Sequence, residues 1–210
     1  MSAKGRGHQT EVEEFYPTPA VVVHALLESP LIKLPGGTWL EPCAGTGRII
    51  RTVNEFCEGT LRARRDWIIC ELQEQFDPHL RQLVRPGRDT IIPYGDFVHR
   101  AWHWPRADVL IMNPPFSLTF DFVKAGLERA DWVVCLQRQG WFGTKTRSPW
   151  LAEHCPDSFQ LPWRPSFRPD GSTDNCEYCW YIWPPGSLEG RREGRLAMLD
   201  RPTGGQLGLF

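Results

Sequence analysis

The sequence has no apolar run approaching the roughly 20 residues that a membrane span needs. Its opening, "MSAKGRGHQTEVEEF", lacks the apolar centre of a secretory signal. Nor is there an excess of charge. Twenty-four Lys and Arg against 25 Asp and Glu leave a net charge of −1, too little to coat a nucleic acid through charge alone. Internal repeats and long linkers are missing. So is the Gly-Lys-Ser/Thr run that cradles a polyphosphate. At 210 residues the chain is about one domain long, with little left over for a large target-recognition domain. The expectation is a cytoplasmic protein with no membrane partner, acting as a monomer.

What is present is an ordinary globular composition, 41% hydrophobic and 23% charged, enough for a core without disulfides. The seven cysteines stand at 43, 57, 70, 135, 155, 176 and 179. An odd, scattered set in a cytoplasmic chain reads as free thiols packed as small hydrophobes. "CEYC" (176–179) has the spacing of a zinc half-site, which His154 and Cys155 could complete. It also reads as part of a strand, "CEYCWYIW", and no metal is assigned to it.

Residues 1–12 are polar and read as a mobile arm. From 185 to 210 the chain is rich in Gly, Pro and Arg and reads as a poorly packed tail. Between them, over 13–184, short apolar runs alternate with helical patterns. Strands are expected at 38–43, 66–72, within 89–97, at 107–113 and at 131–137. Helices are expected at 46–57 and 117–130, with a weaker one at 74–84 because Pro78 sits inside it. Before these, Thr18-Pro19 reads as a helix start, with the Thr18 hydroxyl as cap. Ser29-Pro30 ends that helix. Apolar strands alternating with helices predict an α/β fold whose sheet is mostly parallel and covered on both faces. "SFQLPW" (158–163) and "EYCWYIW" (177–183) follow without a helix between them and predict a closing antiparallel pair.

Ligands bind such a sheet outside the carboxyl ends of its strands, so the residues after each strand matter most. "EPCAGTG" (41–47) places Gly45 and Gly47 in a turn leading to a helix N-terminus, where a backbone can approach a ligand closely. A plain structural turn would also use them. Glu41 before the turn suits a ligand bearing an amine or a cation. Glu71, ending the second strand, can accept hydrogen bonds from a ribose diol. Asp96 in "YGDF" can accept from the exocyclic amine of an adenine, with Phe97 packed on its ring. Each acid alone reads equally as a surface carboxylate. Three in register describe a pocket for an adenosine without a polyphosphate. "NPPF" (113–116) then follows the fourth strand. Asn113 offers a side-chain carbonyl, and Pro114 a backbone carbonyl. Pro115 has no N–H to compete for it, and Phe116 gives a flat face. Two acceptors on one exocyclic amine localise its lone pair on nitrogen, in a geometry fixed by the prolines.

On these motifs the chain resembles the S-adenosylmethionine-dependent amino-group methyltransferases, and within them the adenine-N6 DNA methyltransferases. "EPCAGTG" is similar to their cofactor loop and "NPPF" to their catalytic motif. "FYPTP" (15–19) resembles the segment that closes over the methionine end of the cofactor. "RPSF" (164–167) before a late aromatic strand resembles small phage-carried enzymes, and the motif order resembles the gamma type. The resemblance covers about 13–184 and implies a Rossmann-like class I methyltransferase fold. It implies S-adenosylmethionine as cofactor, held by Tyr16, Pro17, Thr18, Glu41, Pro42, Cys43, Ala44, Gly45, Gly47, Glu71, Leu72, Asp96, Phe97 and Asn113. Catalysis falls to Asn113, Pro114, Pro115 and Phe116, and DNA is the implied partner.

A base inside a duplex cannot reach such a pocket and must be flipped out. "LQRQGWFGTKTRSPW" (136–150) mixes Arg138, Lys145 and Arg147 with Trp141 and Phe142. Cations for phosphates interleaved with rings for stacking suit nucleic acid; a loop whose rings pack on the core would look alike. Arg164 and Arg168, beside an Asp170-Gly171 turn, form a second candidate DNA-facing loop. "RARR" (62–65) reads as a solvated face. Short or relaxed target specificity is expected. The same motif also fits an RNA adenine methyltransferase, a protein glutamine methyltransferase, or a module that binds without reacting.

Overall fold

The computed structural model describes residues 16–93, 95–168, 170–173 and 175–202. The expected arm at 1–12 therefore lies outside the described residues. Among the described residues eight strands form one sheet: β1 (Thr38–Glu41), β2 (Asp66–Glu71), β3 (Thr90–Pro93), β4 (Ala107–Met112), β5 (Ala130–Arg138), β6 (Asp157–Gln160), β7 (Tyr178–Trp183) and β8 (Leu196–Met198). Their order across the sheet is β3-β2-β1-β4-β5-β7-β6-β8. The pairs from β3 to β5 are all parallel. β7 runs antiparallel to both β5 and β6, as the late aromatic strand predicted. The strand order reverses at β1, between β2 and β4, and ligand sites form at such a switch point.

Among the described residues six α-helices accompany the sheet: α1 (Ala20–Glu28), α2 (Arg48–Gly59), α3 (Asp77–Arg81), α4 (Phe97–Arg100), α5 (Thr119–Arg129) and α6 (Ser148–Glu153). Alternation along each central strand sends side chains to two cores. Trp39, Val109 and Ile111 join Val22 and Val23 of α1 and Ile50 and Val53 of α2 on one face. Leu40, Leu110 and Met112 join Phe97 of α4 and Phe122 and Val123 of α5 on the other. No described helix is long and apolar enough to cross a membrane.

Two local expectations are corrected. Pro78 does not interrupt a helix over 74–84. It stands in the first turn of α3, after a 3₁₀ turn at Glu74–Phe76, where a missing N–H costs nothing. Thr18 does not cap α1, whose N-cap is Pro19 without a side-chain bond; its hydroxyl is taken up by Asn113 instead. Of the described residues from 185 onward, most are exposed, while Ser187 and Leu199 are buried. β8 adds to the sheet beside β6, in parallel. Leu199 is buried, and Arg191 and Arg195 both pair with Asp157. Asp157 is itself buried. Burial would raise its carboxyl, but the bonds from the Arg195 amide and the two guanidiniums hold it below the ordinary value. A buried carboxylate needs such partners, and these two arginines tie the segment down.

Candidate active site

The first turn of the site is "EPCAGTG". β1 stops at Glu41, two residues before the expected end, and a turn begins at Pro42. Gly45 (φ +51°) and Gly47 (φ +72°) both adopt the left-handed conformation that glycine takes without penalty. A Cβ on Gly47 would also lie 2.3 Å from Leu83 Cδ1. The Gly45 amide donates to Glu71 Oε2 at 2.7 Å, and the Gln73 amide donates to Glu71 Oε1 at 2.9 Å. Each carboxylate oxygen keeps further acceptor capacity.

Glu41 is 2% exposed and its Oε2 has no partner among the described residues. Burial pushes its carboxyl well above the ordinary carboxylate range, and the nearby Glu71 adds to this; a hydrogen bond from the Ile50 backbone opposes both. Burial and the same two acids push the Cys43 thiol up as well. A buried, unpartnered carboxyl facing a cavity is a receptor for a cation or a strong donor.

Asp96 caps α4. Its Oδ1 accepts from the His99 amide at 3.2 Å, and its Oδ2 lies 2.7 Å from His99 Nδ1. Partial burial would raise this carboxyl, but the hydrogen bonds from His99 hold it below the ordinary value. His99 was not among the expected site residues. The Asp-x-x-His spacing on one helical turn was the signal that could have found it. Phe97 is buried against Trp104 at 4.9 Å and Phe122 at 5.7 Å.

At the end of β4, the Asn113 amide is oriented by two contacts. Its Nδ2 donates to the Tyr16 carbonyl at 3.0 Å and to the Thr18 hydroxyl at 3.1 Å. A backbone carbonyl only accepts, so the NH₂ must face it. The other amide atom, Oδ1, is thereby turned away from the 16–18 segment. The Pro115 carbonyl accepts from the Leu118 amide at 3.0 Å and from the Thr119 hydroxyl at 3.2 Å. Phe116 is half-buried, with Tyr16 at 5.6 Å, Tyr178 at 6.3 Å and the Arg138 guanidinium at 4.2 Å.

One cavity of about 460 Å³ is lined by Tyr16, Pro17, Thr18, Glu41, Pro42, Cys43, Ala44, Gly45, Glu71, Leu72, Asp96, Phe97, Asn113 and Pro115. Gly47, expected with them, does not line it; it packs on Leu83 beneath the turn. Leu118, Asp121 and Phe122 line it too and were not foreseen, because nothing marks a helix residue as facing a ligand. A second cavity of about 400 Å³ is lined by Phe116, Arg138, Trp141 and Arg147, among others.

The remaining candidates are more dispersed. Trp141 is buried among Phe120, Tyr181 and Trp183. Phe142 packs on Tyr181 at 4.9 Å. Arg147 is held by the Trp141 carbonyl at 2.9 Å. Lys145 and Arg168 are exposed, and Arg164 pairs with Glu177 at 2.6 Å. The 170–171 turn forms as expected, with Gly171 at φ +75°. In "RARR", Arg62 lies over Phe56, Arg64 pairs with Glu58 and Arg65 lies over Trp39. Cys179 is buried within β7, as the strand alternation implied. Among the described residues, no three His, Cys, Asp or Glu are grouped as a metal would need.

The sheet order and the site at its switch point define a Rossmann-like fold of the class I methyltransferase type. No family model matches the chain, and no curated protein matches it. Solved structures do. A putative class I S-adenosylmethionine-dependent methyltransferase from Listeria monocytogenes matches at 14% identity with a TM-score of 0.63, over 91% of this chain and 68% of that one. The methyltransferase subunit of a type I restriction-modification system from Streptococcus thermophilus matches at 15% identity and TM-score 0.63; the match covers 81% of this chain but only 45% of that one. A putative RNA methyltransferase from Pyrococcus horikoshii matches at 16% identity and TM-score 0.53, over 87% of this chain and 93% of that one. At these identities the likeness is one of fold.

Proposed function

We propose that this chain is an S-adenosylmethionine-dependent methyltransferase that acts on the N6 amine of adenine in DNA, after the base is flipped out, with short or relaxed sequence specificity. The observation that carries this is the fixed Asn113 amide. Its two N–H groups are committed to Tyr16 and Thr18, so its carbonyl is left for a donor arriving next to the cofactor cavity. The restriction-modification subunit among the fold neighbours supports DNA as the substrate.

The residues present fit the cofactor. The unpartnered Oε2 of Glu41 suits the ammonium of its methionine part. Glu71 suits the ribose diol and Asp96 the adenine amine. Tyr16, Pro17 and Thr18 border the cavity beside Asn113. Bound S-adenosylmethionine supplies an electrophilic methyl on sulfur.

The chain's own residues prepare the nucleophile. The amine of adenine is weak because its lone pair is delocalised into the ring. Asn113 Oδ1 accepts one of its N–H bonds. The Pro115 carbonyl is consumed by α5, so the second acceptor is the Pro114 carbonyl. Accepting both N–H bonds turns the lone pair out of conjugation. The acceptors are fixed in advance by the Pro-Pro turn, so little reorganisation is needed at the moment of reaction. Asn113 is neutral and takes no proton; the proton leaves after the nitrogen has been alkylated. Phe116 stacks on the base, and the cations of the 136–150 stretch meet the phosphates.

The test is incubation with labelled cofactor and separate pools of duplex DNA, single-stranded DNA, RNA and protein. Label in DNA is the expected result. Label confined to protein or to RNA overturns the DNA assignment. Asn113→Ala is expected to abolish transfer while the protein still binds cofactor.

A further inference from the structure

The "NPPF" turn is held at its far end by a row of hydrogen bonds that begins in another strand. Gln137, near the end of β5, and Thr119, which opens α5, are both buried polar side chains. Gln137 Nε2 donates to Thr119 Oγ1, and Thr119 Oγ1 donates to the Pro115 carbonyl at 3.2 Å. The two ends of the row settle its direction. The Arg138 amide donates to Gln137 Oε1 at 2.7 Å. A backbone N–H only donates, so that atom is the oxygen and the NH₂ faces Thr119. A carbonyl only accepts, so the Thr119 proton points to Pro115. A threonine bonding back four residues at a helix start is ordinary. A buried glutamine reaching it from a strand, 18 positions further along the chain, is no part of a helix start.

We propose that Gln137 and Thr119 are positioning residues for methyl transfer: they hold the Pro115 carbonyl and, through it, the Pro114 carbonyl that accepts from the target amine. This rests on the adenine-methylation reading above. The two prolines make the connection. Each locks its own φ at about −65°, and each pushes the residue before it to an extended conformation. The direction of the Pro114 carbonyl, relative to Asn113 on one side and the Pro115 carbonyl on the other, then depends on ψ of Pro114 and ψ of Pro115. Asn113 is anchored by Tyr16 and Thr18. The Pro115 carbonyl is anchored by the Leu118 amide at 3.0 Å and by the Thr119 hydroxyl.

A single donor lets a carbonyl swing about it, whereas two donors define its direction. The hydroxyl is therefore the group that turns a hinge into a fixed point. Gln137 makes it dependable. By donating to the hydroxyl oxygen, it commits the single hydroxyl proton to Pro115, and bonds in such a row strengthen one another. Phe116 begins at the same peptide unit, so the face meant for the base is set by the same contact. Displacing an acceptor by about 1 Å through a change outside the reacting groups can cost about 10²-fold in rate.

The experiment uses the full chain, S-adenosylmethionine and an adenine-containing oligonucleotide, single-stranded and in duplex. Single-turnover rates are measured at saturating cofactor and DNA and expressed per bound cofactor. A merely structural role would lower Tm and the fraction of protein that binds cofactor, and would leave this rate alone. Thr119→Val, of the same shape without the hydroxyl, is expected to lower the rate by about tenfold or more, with cofactor Kd and DNA KM within about twofold of wild type. Thr119→Ser restores the hydroxyl and is expected to stay within about threefold of wild type. Gln137→Met is expected to lower the rate by about threefold or more, and the double variant to fall no further than Thr119→Val alone, because Gln137 acts through Thr119. A Thr119→Val rate within about twofold of wild type, no recovery in Thr119→Ser, or losses that multiply in the double variant would each overturn the positioning role. Should Thr119→Val bind no cofactor, Gln137→Met answers alone, and a rate within about twofold of wild type overturns the proposal. If the wild type itself transfers no methyl to either oligonucleotide, the adenine-methylation reading falls, and this inference with it.

Discussion

Replacing Asn113 with Asp changes one NH₂ to one oxygen and leaves shape and volume nearly the same. It removes both donors that hold the 16–18 segment, at 3.0 Å to the Tyr16 carbonyl and 3.1 Å to the Thr18 hydroxyl. The hydroxyl can rotate and donate to the new carboxylate, so that contact is regained. The Tyr16 carbonyl cannot donate, and it then faces a like-signed oxygen. One hydrogen bond is worth about 0.5–1.5 kcal/mol, and a buried acceptor left unmade costs about 1–3 kcal/mol. A net loss of about 1–2 kcal/mol follows, which is about tenfold in the affinity of anything the segment closes over. Asn113→Asp still presents an acceptor to the substrate amine. Its kcat at saturating cofactor is therefore expected to fall far less than that of Asn113→Ala. For Asn113→Ala, removing one pre-organised polar group predicts a drop of at least about 10²–10³, which takes transfer below detection in the product assay. Titration calorimetry with the cofactor, and initial rates at saturating cofactor, separate the two effects. Cofactor affinity unchanged within twofold in Asn113→Asp would refute the claim that the Asn113 amide holds the segment against the cavity.

Three other outcomes are expected. Glu41 has a raised carboxyl in the folded chain, so its contribution to stability is full below the ordinary value of 4.5 and is lost as pH rises through the higher folded value. Melting of the cofactor-free protein from pH 4.5 upward should show this loss in the wild type and a flatter profile in Glu41→Gln, and the variant should bind cofactor more weakly; parallel profiles would contradict the assignment. Leu61 is 96% exposed and sits at φ +55°, at the end of α2, where the Arg62 amide closes back on the Cys57 carbonyl. Glycine relieves the strained backbone there at some entropic cost, so Leu61→Gly should stabilise by about 0.5–1 kcal/mol, a rise of about 2 °C in Tm. Sequencing of methylated DNA should show many adenines modified rather than one six-base site.

Much of the fold was legible because its signals are local. Apolar strands alternating with helices, and a late aromatic strand without a helix before it, specified a parallel sheet with an antiparallel end. β8 was not legible. Its flanks are rich in Arg and Gly, and the partner that holds them lies far off in sequence: Asp157 pairs with both Arg191 and Arg195. In the site, residue type at each strand end was readable, but partnership was not. Thr18 has the local chemistry of a helix cap, and only the fold brings it to Asn113, 95 positions away. Asp96 was read as a free acceptor, whereas the turn it begins brings His99 to both of its oxygens, each of which keeps further acceptor capacity. Phe116 was read as an open face, and Arg138, at the end of another strand, covers it. Such contacts are made across the sheet, and periodicity along the chain carries no trace of them.

The most direct test is the identity of the methylated product. DNA incubated with the protein and S-adenosylmethionine is digested to nucleosides and analysed by mass spectrometry. N6-methyl-2′-deoxyadenosine is predicted, absent when Asn113→Ala is used. Methyl found only on cytosine, or only on amino acids of an added protein, would contradict the assignment of the Asn113 and Pro114 carbonyls to the adenine amine.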